Sequence, residues 1–438
     1  MADNQAGKIL EQKLQAETAV YGVVGLGYVG LPLASTMAQA GHTVIGFDIS
    51  EERVAAAAAG KSYIADVDSE LFAQQAQSGL FQATTDFSRA AECDALAICV
   101  PTPLDKMKDP DVTFMVEATK SIAPHLKGET LVTLESTTYP GTTDEIVVPI
   151  LEDAGHVIDR DVFVAFSPER VDPGNPTHHT KDTPKVVGGV TPRSGKLAVQ
   201  FYRSFLDEVV PVSTARAAEM SKLLENIFRC VNIALVNELA QLCERMDINM
   251  WEVVDSAKTK PFGFMPFYPG PGLGGHCIPI DPFYLSWKAR EYDFHTQFIE
   301  LAGKINENMP YYVADRLMGA LNTQRKSLAG ARILVLGVAY KADIDDMRES
   351  PAVKVVDHLL EREAVVVYHD PFVPVYQYDG HEVEGVPLTA EEIERADAVV
   401  ILTAHSEVDY ALVAEHAKLV FDTRNAMKDF TGGHILRL

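Results

Sequence analysis

A strand–turn–helix–strand unit near the N-terminus constrains the fold of this chain more than any other feature. Residues 18–24 (TAVYGVV) are typical of a buried strand, and they are followed in order by the turn GLGYVG, the helical stretch LPLASTMAQAG and a second strand, HTVIGFD. A glycine-rich turn between a strand and a helix allows the backbone to approach a pyrophosphate closely. The pattern therefore predicts a Rossmann domain that binds a dinucleotide.

The spacing of three glycines and one acidic residue within this unit indicates which dinucleotide is bound. Gly25, Gly27 and Gly30 form the GxGxxG fingerprint, and Asp48 ends the second strand. Gly27 and Asp48 are separated by about the 20 residues expected for an acid that hydrogen-bonds the ribose diol. Because Asp48 would repel the 2′-phosphate of NADP, we expect NAD as the cofactor.

Two further strand patterns, at residues 93–103 and 128–138, end in polar loops. In an open parallel sheet, ligands lie at the carboxyl ends of the strands. Thr102, Ser136 and Thr137 lie at these ends and are therefore candidate cofactor contacts, although they are equally compatible with ordinary turns. Additional strands are predicted at the start of residues 161–176 and at KVVGGVT.

Residues 214–246 lack glycine and proline and show strong helical periodicity. A helix of this length is long for a globular domain, and we expect it to link two halves of the chain and to pack against a partner subunit. Glu219, Lys222, Asn226 and Arg229 share one face because they lie three and four residues apart. Spacing alone favours a solvent-exposed stripe, and the alternative is that Lys222 and Asn226 point into a site.

A second strand–helix alternation without GxGxxG occupies the C-terminal part of the chain. Its strands are predicted within residues 330–341, 364–371, 396–405 and 417–425. The predicted fold is α/β, with two Rossmann-like doubly wound domains joined by a long central helix. We expect domain boundaries at 1–212, 213–327 and 328–438, with the central domain carrying the dimer contact.

Three cations lie at the strand ends of this second unit: Lys341, Arg348 and Arg424. One such residue would be unremarkable on a protein surface. Three at the edge where ligands bind indicate an anion, for example a diphosphate.

The stretch GLGGHCIPID, residues 272–281, places Cys277 among glycines and Asp281 four residues later. Glycine at this density indicates a turn, or a backbone that another group must approach closely. The other cysteines lie in apolar surroundings and are predicted to be core residues: Cys93, Cys99, Cys230 and Cys243. Because the five cysteines are scattered and lack CxxC spacing, they fit a reducing cytoplasm and predict no metal site.

The charge balance bears on possible partners. The chain has 38 basic and 62 acidic residues and a net charge of −24, which argues against nucleic acid as a partner. It contains no apolar run of the roughly 18 residues that a membrane span requires, and its N-terminus is polar and lacks a signal-peptide core. We therefore expect a cytoplasmic protein with no membrane partner.

Several motifs together resemble one enzyme family over nearly the whole chain. They are VGLGYVGLPLA, VPTP, ESTTYPGTT, FSPER, AEMSKLLENIFRCVNIALVNELA, GPGLGGHCIPIDPFYL and LGVAYKADIDDMRESPA. Their order and number are similar to those of the nucleotide-sugar 6-dehydrogenases, the UDP-glucose/GDP-mannose dehydrogenase family. Within it, ESTTYPGTT, SPERxDPGNP and PGPGLGGHCIPIDPFYLSWKAREY are most similar to bacterial UDP-N-acetyl-D-glucosamine 6-dehydrogenases, which feed O-antigen and capsule synthesis.

The resemblance implies a reaction and a set of catalytic residues. The family oxidises the C6 alcohol of the sugar to a carboxylate with two NAD+, in dimers or larger assemblies. It implies that Cys277 is the nucleophile, that Asp281 positions or activates water, and that Lys222 and Asn226 stabilise an oxyanion. It also implies that Thr137 and Glu169 hold water.

The resemblance further implies ligand contacts. Those to the cofactor are Gly25, Leu26, Gly27, Tyr28, Val29, Gly30, Asp48, Ile49, Arg53, Val100, Pro101, Thr102, Ser136, Thr137 and Arg348. Those to the UDP-sugar are Glu169, Arg170, Val171, Lys222, Asn226, Lys260, Tyr268, Leu273, Gly274, Tyr340, Lys341 and Arg424. Lys341 and Arg424 match the cations on the UDP diphosphate, which implies a UDP-binding C-terminal domain.

Three positions depart from the pattern of the UDP-glucose enzymes. Ile280 replaces a lysine, Pro173 replaces a second glutamate, and Lys260 is the nearest candidate for an arginine supplied by a neighbouring subunit. These changes put glucose in doubt and are compatible with a bulkier 2-acetamido group.

Several alternatives remain open at this point. The sugar could be UDP-N-acetylgalactosamine, UDP-N-acetylmannosamine or UDP-glucose. A two-electron β-hydroxyacid dehydrogenase would need neither Cys277 nor the second Rossmann-like unit, and a non-enzymatic nucleotide-sugar sensor would tolerate the loss of Cys277, Lys222 and Asp281.

Overall fold

The computed structural model describes residues 6–64, 67–105, 109–170, 181–275, 277–378 and 381–438. The chain divides into two compact units, which we name the N-terminal unit (Met1–Glu225 with Trp287–Asp293) and the C-terminal unit (Asn226–Ser286 with Phe294–Leu438). The expected division into three domains stays a prediction.

The N-terminal unit is built around a wide sheet. Its strands are β1 (Tyr21–Val24), β2 (Val44–Phe47), β3 (Phe81–Thr84), β4 (Ala95–Ile98), β5 (Thr130–Leu134), β6 (Val162–Phe166), β7 (Lys185–Gly189) and β8 (Val209–Val212). In the described part of the chain they form one sheet in the order β3-β2-β1-β4-β5-β6-β7-β8. The strands from β3 to β6 run parallel, whereas β7 is antiparallel to β6 and parallel to β8.

Helices cover both faces of this sheet, as expected where central strands such as β1 (YGVV) and β4 (ALAI) are apolar and buried throughout. They are α1 (Lys8–Gln15), α2 (Gly30–Gln39), α3 (Glu51–Ala58), α4 (Ser69–Ser78), α5 (Thr113–Ile122), α6 (Val148–Asp153) and α7 (Pro192–Arg203). One apolar cluster contains residues of α1, α2 and α7, and a second contains residues of α5 and α6.

Two fingerprint glycines are required by the close contacts of the β1–α2 turn. Gly25 has φ +94°, and a Cβ there would lie 2.8 Å from the carbonyl oxygen of Cys99. A Cβ on Gly30 would collide with the carbonyl oxygen of Gly25. Because each contact is to backbone, which cannot move aside cheaply, the turn accepts only glycine at both positions.

The predicted helix at 214–246 is confirmed as α8 (Ala215–Arg245), a continuous helix of 31 residues. Its residues up to Glu225 belong to the N-terminal unit, and those from Asn226 belong to the C-terminal unit. The helix therefore connects the two units, as the periodicity predicted.

The C-terminal unit contains a second sheet. The further helices are α9 (Met250–Ala257), α10 (Asp281–Ala289), α11 (Gln297–Thr323), α12 (Pro351–Glu361), α13 (Ala390–Arg395) and α14 (Tyr410–His416). The strands are β9 (Arg332–Leu336), β10 (Val365–His369), β11 (Val375–Tyr378), β12 (His381–Glu384), β13 (Ala398–Ile401), β14 (Val420–Asp422) and β15 (Ile435–Arg437). Within the described residues, β10-β9-β13-β14-β15 form a parallel sheet, and β11 and β12 form a separate antiparallel pair.

The predicted fold class, α/β with two Rossmann-like doubly wound domains joined by a long helix, is confirmed. Each predicted strand of either sheet is present, usually as the inner part of the predicted range. The strands β3, β8 and β15 and the pair β11–β12 were not predicted; β3, β8 and β15 are short and are buried only at their first residue. Within the described ranges, no helix is both long and apolar enough to cross a membrane.

Candidate active site

Asp48 organises the predicted cofactor turn of the N-terminal unit. Its carboxylate is buried at the end of β2, where one oxygen accepts the N–H of Leu26 at 2.9 Å and the other accepts the N–H of Ser50 at 2.9 Å. The guanidinium of Arg53 lies 3.8 Å from the carboxylate. The acid therefore ties the end of β2 to the glycine-rich turn, in the position that an NAD ribose requires.

Other predicted cofactor residues lie around this turn with different exposures. Leu26 is buried, whereas Tyr28, Ile49 and Arg53 are exposed, Ile49 to 80%. Exposed side chains beside Asp48 are accessible to a nucleotide at this edge of the sheet. Val29 is partly buried and packs against the core under α2.

The strand ends at β4 and β5 come together, as predicted. The hydroxyl of Thr102 donates to the carbonyl oxygen of Thr137 at 2.6 Å, and the hydroxyl of Ser136 donates to that of Val100 at 2.7 Å. Pro101 is exposed between them. The two hydroxyls thus cross-link the loops at the carboxyl end of the sheet. Ordinary turn residues make such contacts, and the same edge is where a cofactor binds in a parallel sheet.

Glu169 follows β6 and is held by groups that the sequence analysis did not identify. The ammonium of Lys185 lies 3.1 Å from Glu169 and 2.5 Å from Glu135. Burial raises the pKa of the Glu135 carboxyl against the attraction of Lys185. For Lys185, burial alone would lower the pKa, but the two carboxylates raise it.

Arg170, beside Glu169, is tied to α8 and to the residue that precedes β7. Its guanidinium lies 2.7 Å from the carboxylate of Glu225 on α8 and donates to the carbonyl oxygen of Pro184 at 2.7 Å. These contacts fix the chain direction after β6. The predicted sugar contact Val171 lies outside the described residues.

The solvent-exposed stripe favoured by spacing alone is wrong for three of the four residues on the face of α8. Glu219, Lys222 and Asn226 are buried, with 0%, 7% and 5% exposure, and only Arg229 of the four is exposed. The buried carboxylate of Glu219 has hydrogen-bond partners, because it accepts the N–H groups of Gly141 and Thr143. The alternative, in which Lys222 and Asn226 point inward, fits this burial.

In the C-terminal unit, Cys277 occupies the turn that starts α10. Its carbonyl oxygen accepts the N–H groups of Ile280 at 3.1 Å and Asp281 at 2.8 Å, and the side chain is partly exposed. Asp281 is 3% exposed, and its carboxylate accepts the side-chain N–H of Asn226 at 2.5 Å. The turn therefore places a thiol next to a helix N-terminus, where negative charge is favoured, and one turn from a buried carboxylate.

The remaining cysteines differ from Cys277 in their surroundings. Cys93, Cys99 and Cys230 are buried core residues, as predicted, and Cys243 is partly exposed beside Met250. Burial raises the thiol pKa of Cys93 to about 12 and that of Cys230 to about 11. These two thiols are unsuited to act as nucleophiles at neutral pH, because a nucleophilic cysteine must ionise.

The glycines before Cys277 give space to two side chains that follow β9. A Cβ on Gly274 would lie 2.7 Å from Tyr340 and 2.8 Å from Pro351, and a Cβ on Gly275 would lie 2.9 Å from the Tyr340 ring. Gly275 also has φ +89°. The run of glycines is therefore needed for packing within the C-terminal unit, a requirement separate from any approach of substrate to the thiol.

Two buried asparagines anchor the start of the same loop, and the sequence analysis missed them. Asn237 on α8 accepts the N–H of Gly270 at 2.9 Å and donates to Asn306 on α11 at 2.9 Å. Asn306 in turn donates to the carbonyl oxygen of Cys230 at 3.1 Å. A signal was present, because Asn237 falls on the buried face of α8 at helical spacing from Cys230 and Ala234.

The predicted phosphate-binding cations lie on loops at the carboxyl ends of the second sheet. Arg424 donates to the carbonyl oxygen of Leu402 at 2.8 Å, and burial lowers its pKa to about 10 despite Asp422 nearby. Arg348 forms an ion pair with Asp346, 2.6 Å away, and Lys341 is partly buried after β9.

The other predicted sugar contacts lie on the segment after α9 and on the glycine-rich loop. Lys260 is exposed, with its ammonium 5.0 Å from the ring centre of Phe262. The hydroxyl of Tyr268 donates to Asp255 at 2.8 Å, and its ring stacks on Trp251. Leu273 packs beside the cluster that contains Cys230.

Comparison with protein families gives matches along the chain to three models of one family. Residues 20–206 match the NAD binding domain of the UDP-glucose/GDP-mannose dehydrogenase family, residues 216–308 match its central domain, and residues 334–429 match its UDP binding domain. The three matches follow the order predicted from the motifs.

Individual relatives share this length but differ in the sugar that their names give. A UDP-N-acetyl-D-glucosamine 6-dehydrogenase from Pseudomonas aeruginosa is 37% identical, over 88% of this chain and 90% of the relative. An NDP-N-acetyl-D-galactosaminuronic acid dehydrogenase from Ralstonia solanacearum is 35% identical, over 91% and 93%. The solved structure of a UDP-D-ManNAc dehydrogenase from Pyrococcus horikoshii is 33% identical, with a TM-score of 0.86 over 95% of this chain and 98% of that one.

Replacing Asp48 tests cofactor selection without any assumption about the sugar. Asp48→Ala removes the acceptor for the ribose diol and the repulsion of a 2′-phosphate, so we expect the affinity for NADH to fall roughly 10–100-fold and the preference over NADPH to narrow. Fluorescence titration with both reduced cofactors measures this.

Asp94→Ala is the matched control, because Asp94 also accepts a backbone N–H beside β1, that of Val20 at 3.0 Å. Asp94 differs from Asp48 in its place, since it precedes a strand, β4, instead of following the end of one. We expect the ratio of its affinity for NADH to its affinity for NADPH to equal that of the wild type. An unchanged ratio in Asp48→Ala would contradict the assignment.

Proposed function

The chain belongs to the UDP-glucose/GDP-mannose dehydrogenase family and is an NAD-dependent nucleotide-sugar dehydrogenase, and on that premise we propose that it oxidises UDP-N-acetyl-D-glucosamine. The C6 hydroxyl becomes a carboxylate with two NAD+, through a thiohemiacetal and a thioester on Cys277. The product would be a precursor of surface polysaccharide, such as O-antigen or capsule. The same chemistry on UDP-N-acetylgalactosamine, UDP-N-acetylmannosamine or UDP-glucose is the alternative.

One observation carries this proposal: a partly exposed thiol and a buried, hydrogen-bonded carboxylate occupy the same turn. Cys277 precedes α10, and the amide of Asn226 holds Asp281 at 2.5 Å. A serine hydroxyl is a poor nucleophile at neutral pH because it scarcely ionises, whereas a thiol ionises with a reference pKa of about 8.5. A thioester keeps the carbonyl reactivity that hydrolysis needs.

The residues of the N-terminal unit fit NAD. The β1–α2 turn has no space for side chains at Gly25 and Gly30, and the Asp48 carboxylate accepts the N–H of Leu26 in that turn, which supports the assignment of Asp48 to the ribose. When bound, NAD+ accepts hydride from C6 in each of the two oxidations. Thr102, Ser136 and the exposed Ile49 and Arg53 are the proposed contacts around it.

The remaining roles follow from charge and hydrogen-bonding capacity. Lys222 and Asn226 stabilise the oxyanion that develops at C6, because an ammonium and an amide can both donate to it. Cys277 adds to the aldehyde, and Asp281 removes a proton from the water that later attacks the thioester. Thr137 and Glu169 hold that water.

The proposed substrate contacts in the C-terminal unit begin with the diphosphate. Lys341 and Arg424 neutralise it, because both lie at the carboxyl ends of parallel strands, where ligands bind. Tyr340, Leu273 and Gly274 contact the remainder of the nucleotide sugar. Additional contacts are assigned to Arg170, Val171, Lys260 and Tyr268, and Arg348 is assigned to the cofactor.

The choice of UDP-N-acetyl-D-glucosamine rests on the motifs ESTTYPGTT and PGPGLGGHCIPIDPFYL and on the departures at Ile280 and Pro173. Both departures remove a polar side chain that UDP-glucose enzymes place near the sugar. A 2-acetamido group is larger and less polar than a hydroxyl, so it suits such a site.

A panel of nucleotide sugars tests the substrate. We expect kcat/KM to be highest for UDP-N-acetyl-D-glucosamine, because the motifs ESTTYPGTT and PGPGLGGHCIPIDPFYL are most similar to those of the enzymes that oxidise this sugar. Initial rates of NADH formation with UDP-N-acetylgalactosamine, UDP-N-acetylmannosamine and UDP-glucose give the comparison. A tenfold preference for any of these three would show that the substrate is wrong, while leaving the chemistry intact.

Replacing the thiol tests the mechanism. Cys277→Ser should abolish steady-state formation of the uronate, with at most about one NADH per active site in a slow burst, because only the second oxidation needs the sulfur. Aldehyde should then be trappable with a carbonyl reagent.

Cys243→Ser is the matched control, since Cys243 is also partly exposed but lies on α8 beside Met250. It should retain nearly wild-type turnover. A Cys277→Ser enzyme that forms uronate within tenfold of the wild-type rate would refute covalent catalysis.

We also propose that the protein is at least a dimer, on the basis of an apolar stripe on α8. Phe228, Leu235, Leu239 and Leu242 are each 37–53% exposed, and their separations of seven, four and three residues place them on one helix face. An exposed apolar stripe of this length is typical of a subunit contact.

Charge on this stripe should separate the subunits. We expect light scattering on the wild type to give a multiple of 47.9 kDa at micromolar concentration, and Leu235→Lys/Leu242→Lys to give that single mass, because lysine ammonium groups cannot be buried without partners. A wild-type mass near 47.9 kDa would contradict the dimer.

A further inference from the structure

A chain of polar side chains crosses the interior of the N-terminal unit and ends at Glu169. The hydroxyl of Tyr202 donates to Glu135 at 2.6 Å, and the ammonium of Lys185 donates to Glu135 at 2.5 Å and to Glu169 at 3.1 Å. We name these four residues the Lys185 network. It joins α7, β7 and the ends of β5 and β6.

The Lys185 network is buried at one end and accessible at the other. The side chains of Lys185 and Glu135 are 4% and 0% exposed, whereas that of Glu169 is 16% exposed. Burying an ion pair usually contributes little stability, since desolvation offsets the attraction, and apolar residues of similar size are often as stable. A role in stability therefore does not account for this arrangement well.

We propose that Lys185 is a positioning residue for thioester hydrolysis, which holds Glu169 ionised and oriented so that Glu169 can hold the attacking water. This inference rests on the proposed function. In the step concerned, the water oxygen adds to the thioester carbon and the C–S bond breaks. Asp281 takes one proton from the water and returns it to the Cys277 sulfur, and the new carboxylic acid ionises to solvent.

The geometry at Glu169 supports this role. One carboxylate oxygen accepts from Lys185 at 3.1 Å, and the other accepts the N–H of Arg170 at 2.7 Å. Both donors favour the ionised carboxylate, and the pair fixes its plane. Lys185 is held in turn by Glu135, so that its ammonium cannot swing away to solvent.

The charged and titratable groups around the Lys185 network come from each packed element. Tyr202 on α7 remains a neutral donor to Glu135, because burial raises its pKa, and its oxygen also lies 3.1 Å from the hydroxyl oxygen of Thr133. Cys99 at the end of β4 remains a neutral thiol, since burial raises its pKa. On the solvent side, the guanidinium of Arg170 is paired with Glu225 of α8. Lys185 therefore contacts Glu169 from the buried side of the network, at 3.1 Å.

Two variants separate positioning from structure. Lys185→Met alone would leave Glu135 as an unpaired buried charge, so the informative variant is Glu135→Gln/Lys185→Met, which removes both charges together. Glu135→Gln alone keeps Lys185 and leaves Glu169 as the carboxylate that pairs with the Lys185 ammonium. Glu11→Gln/Lys196→Met is the matched control, because it removes an exposed ion pair of 2.8 Å from the same unit.

For Glu135→Gln/Lys185→Met we expect kcat to fall about 10–100-fold, as for supporting residues that orient a functional group, with a smaller change in the KM for UDP-N-acetyl-D-glucosamine. The first two equivalents of NADH should still form, and intact-protein mass spectrometry should show the sugar thioester on Cys277. The acid limb of the pH–kcat profile should move to higher pH, because a carboxylate that has lost its cation is protonated more readily.

Glu135→Gln should move the acid limb to lower pH without accumulating the thioester, and the surface control should match the wild type. The proposal is overturned if Glu135→Gln leaves the limb in place, or if the folded double variant has a wild-type profile and no thioester. If the wild type itself makes one NADH per sugar, the proposed function fails and this inference with it. If the double variant does not fold, the direction in which the acid limb of the pH–kcat profile moves in Glu135→Gln decides whether the proposal stands.

Discussion

The hydrogen bonds at the start of α10 are the constraint on which the catalytic arrangement depends. The carbonyl oxygen of Cys277 closes the first turn by accepting the N–H of Asp281, and the side chain of Asn226 holds the Asp281 carboxylate at 2.5 Å. A thiol four residues before a buried carboxylate is thereby kept at a helix N-terminus. Because α8 supplies Asn226, the long helix positions the Asp281 carboxylate as well as connecting the units.

The two units solve the same problem of burying polar groups in different ways. In the C-terminal unit, neutral amides make the buried hydrogen bonds, since Asn237 and Asn306 link the glycine-rich loop to α8 and α11. In the N-terminal unit, Lys185 places a full charge between two carboxylates. Neutral amides are sufficient to hold a loop, whereas a buried cation also controls ionisation, which is the property that a hydrolytic step requires.

Much of this structure could be predicted because its signals are local. The fingerprint turn, Asp48 and α8 are each encoded by neighbouring residues with a characteristic spacing, and the structure has them where the sequence predicts. Edge strand β3 (FQAT) escaped prediction because it lacks an apolar run, and edge strand β8 (VVPV) escaped because Pro211 argues against a strand. Lys185 and Asn306 escaped because their partners are distant in sequence, and a single lysine or asparagine gives no periodic signal.

The central claim is that one active site carries out two successive oxidations through Cys277. The most direct measurement is the ratio of NADH formed to UDP-N-acetyl-D-glucosamine consumed, with limiting sugar, excess NAD+ and product analysis by mass spectrometry. The account predicts two NADH per sugar, a uronate product and no accumulated aldehyde. One NADH per sugar, with an aldehyde or ketone as the product, would contradict it.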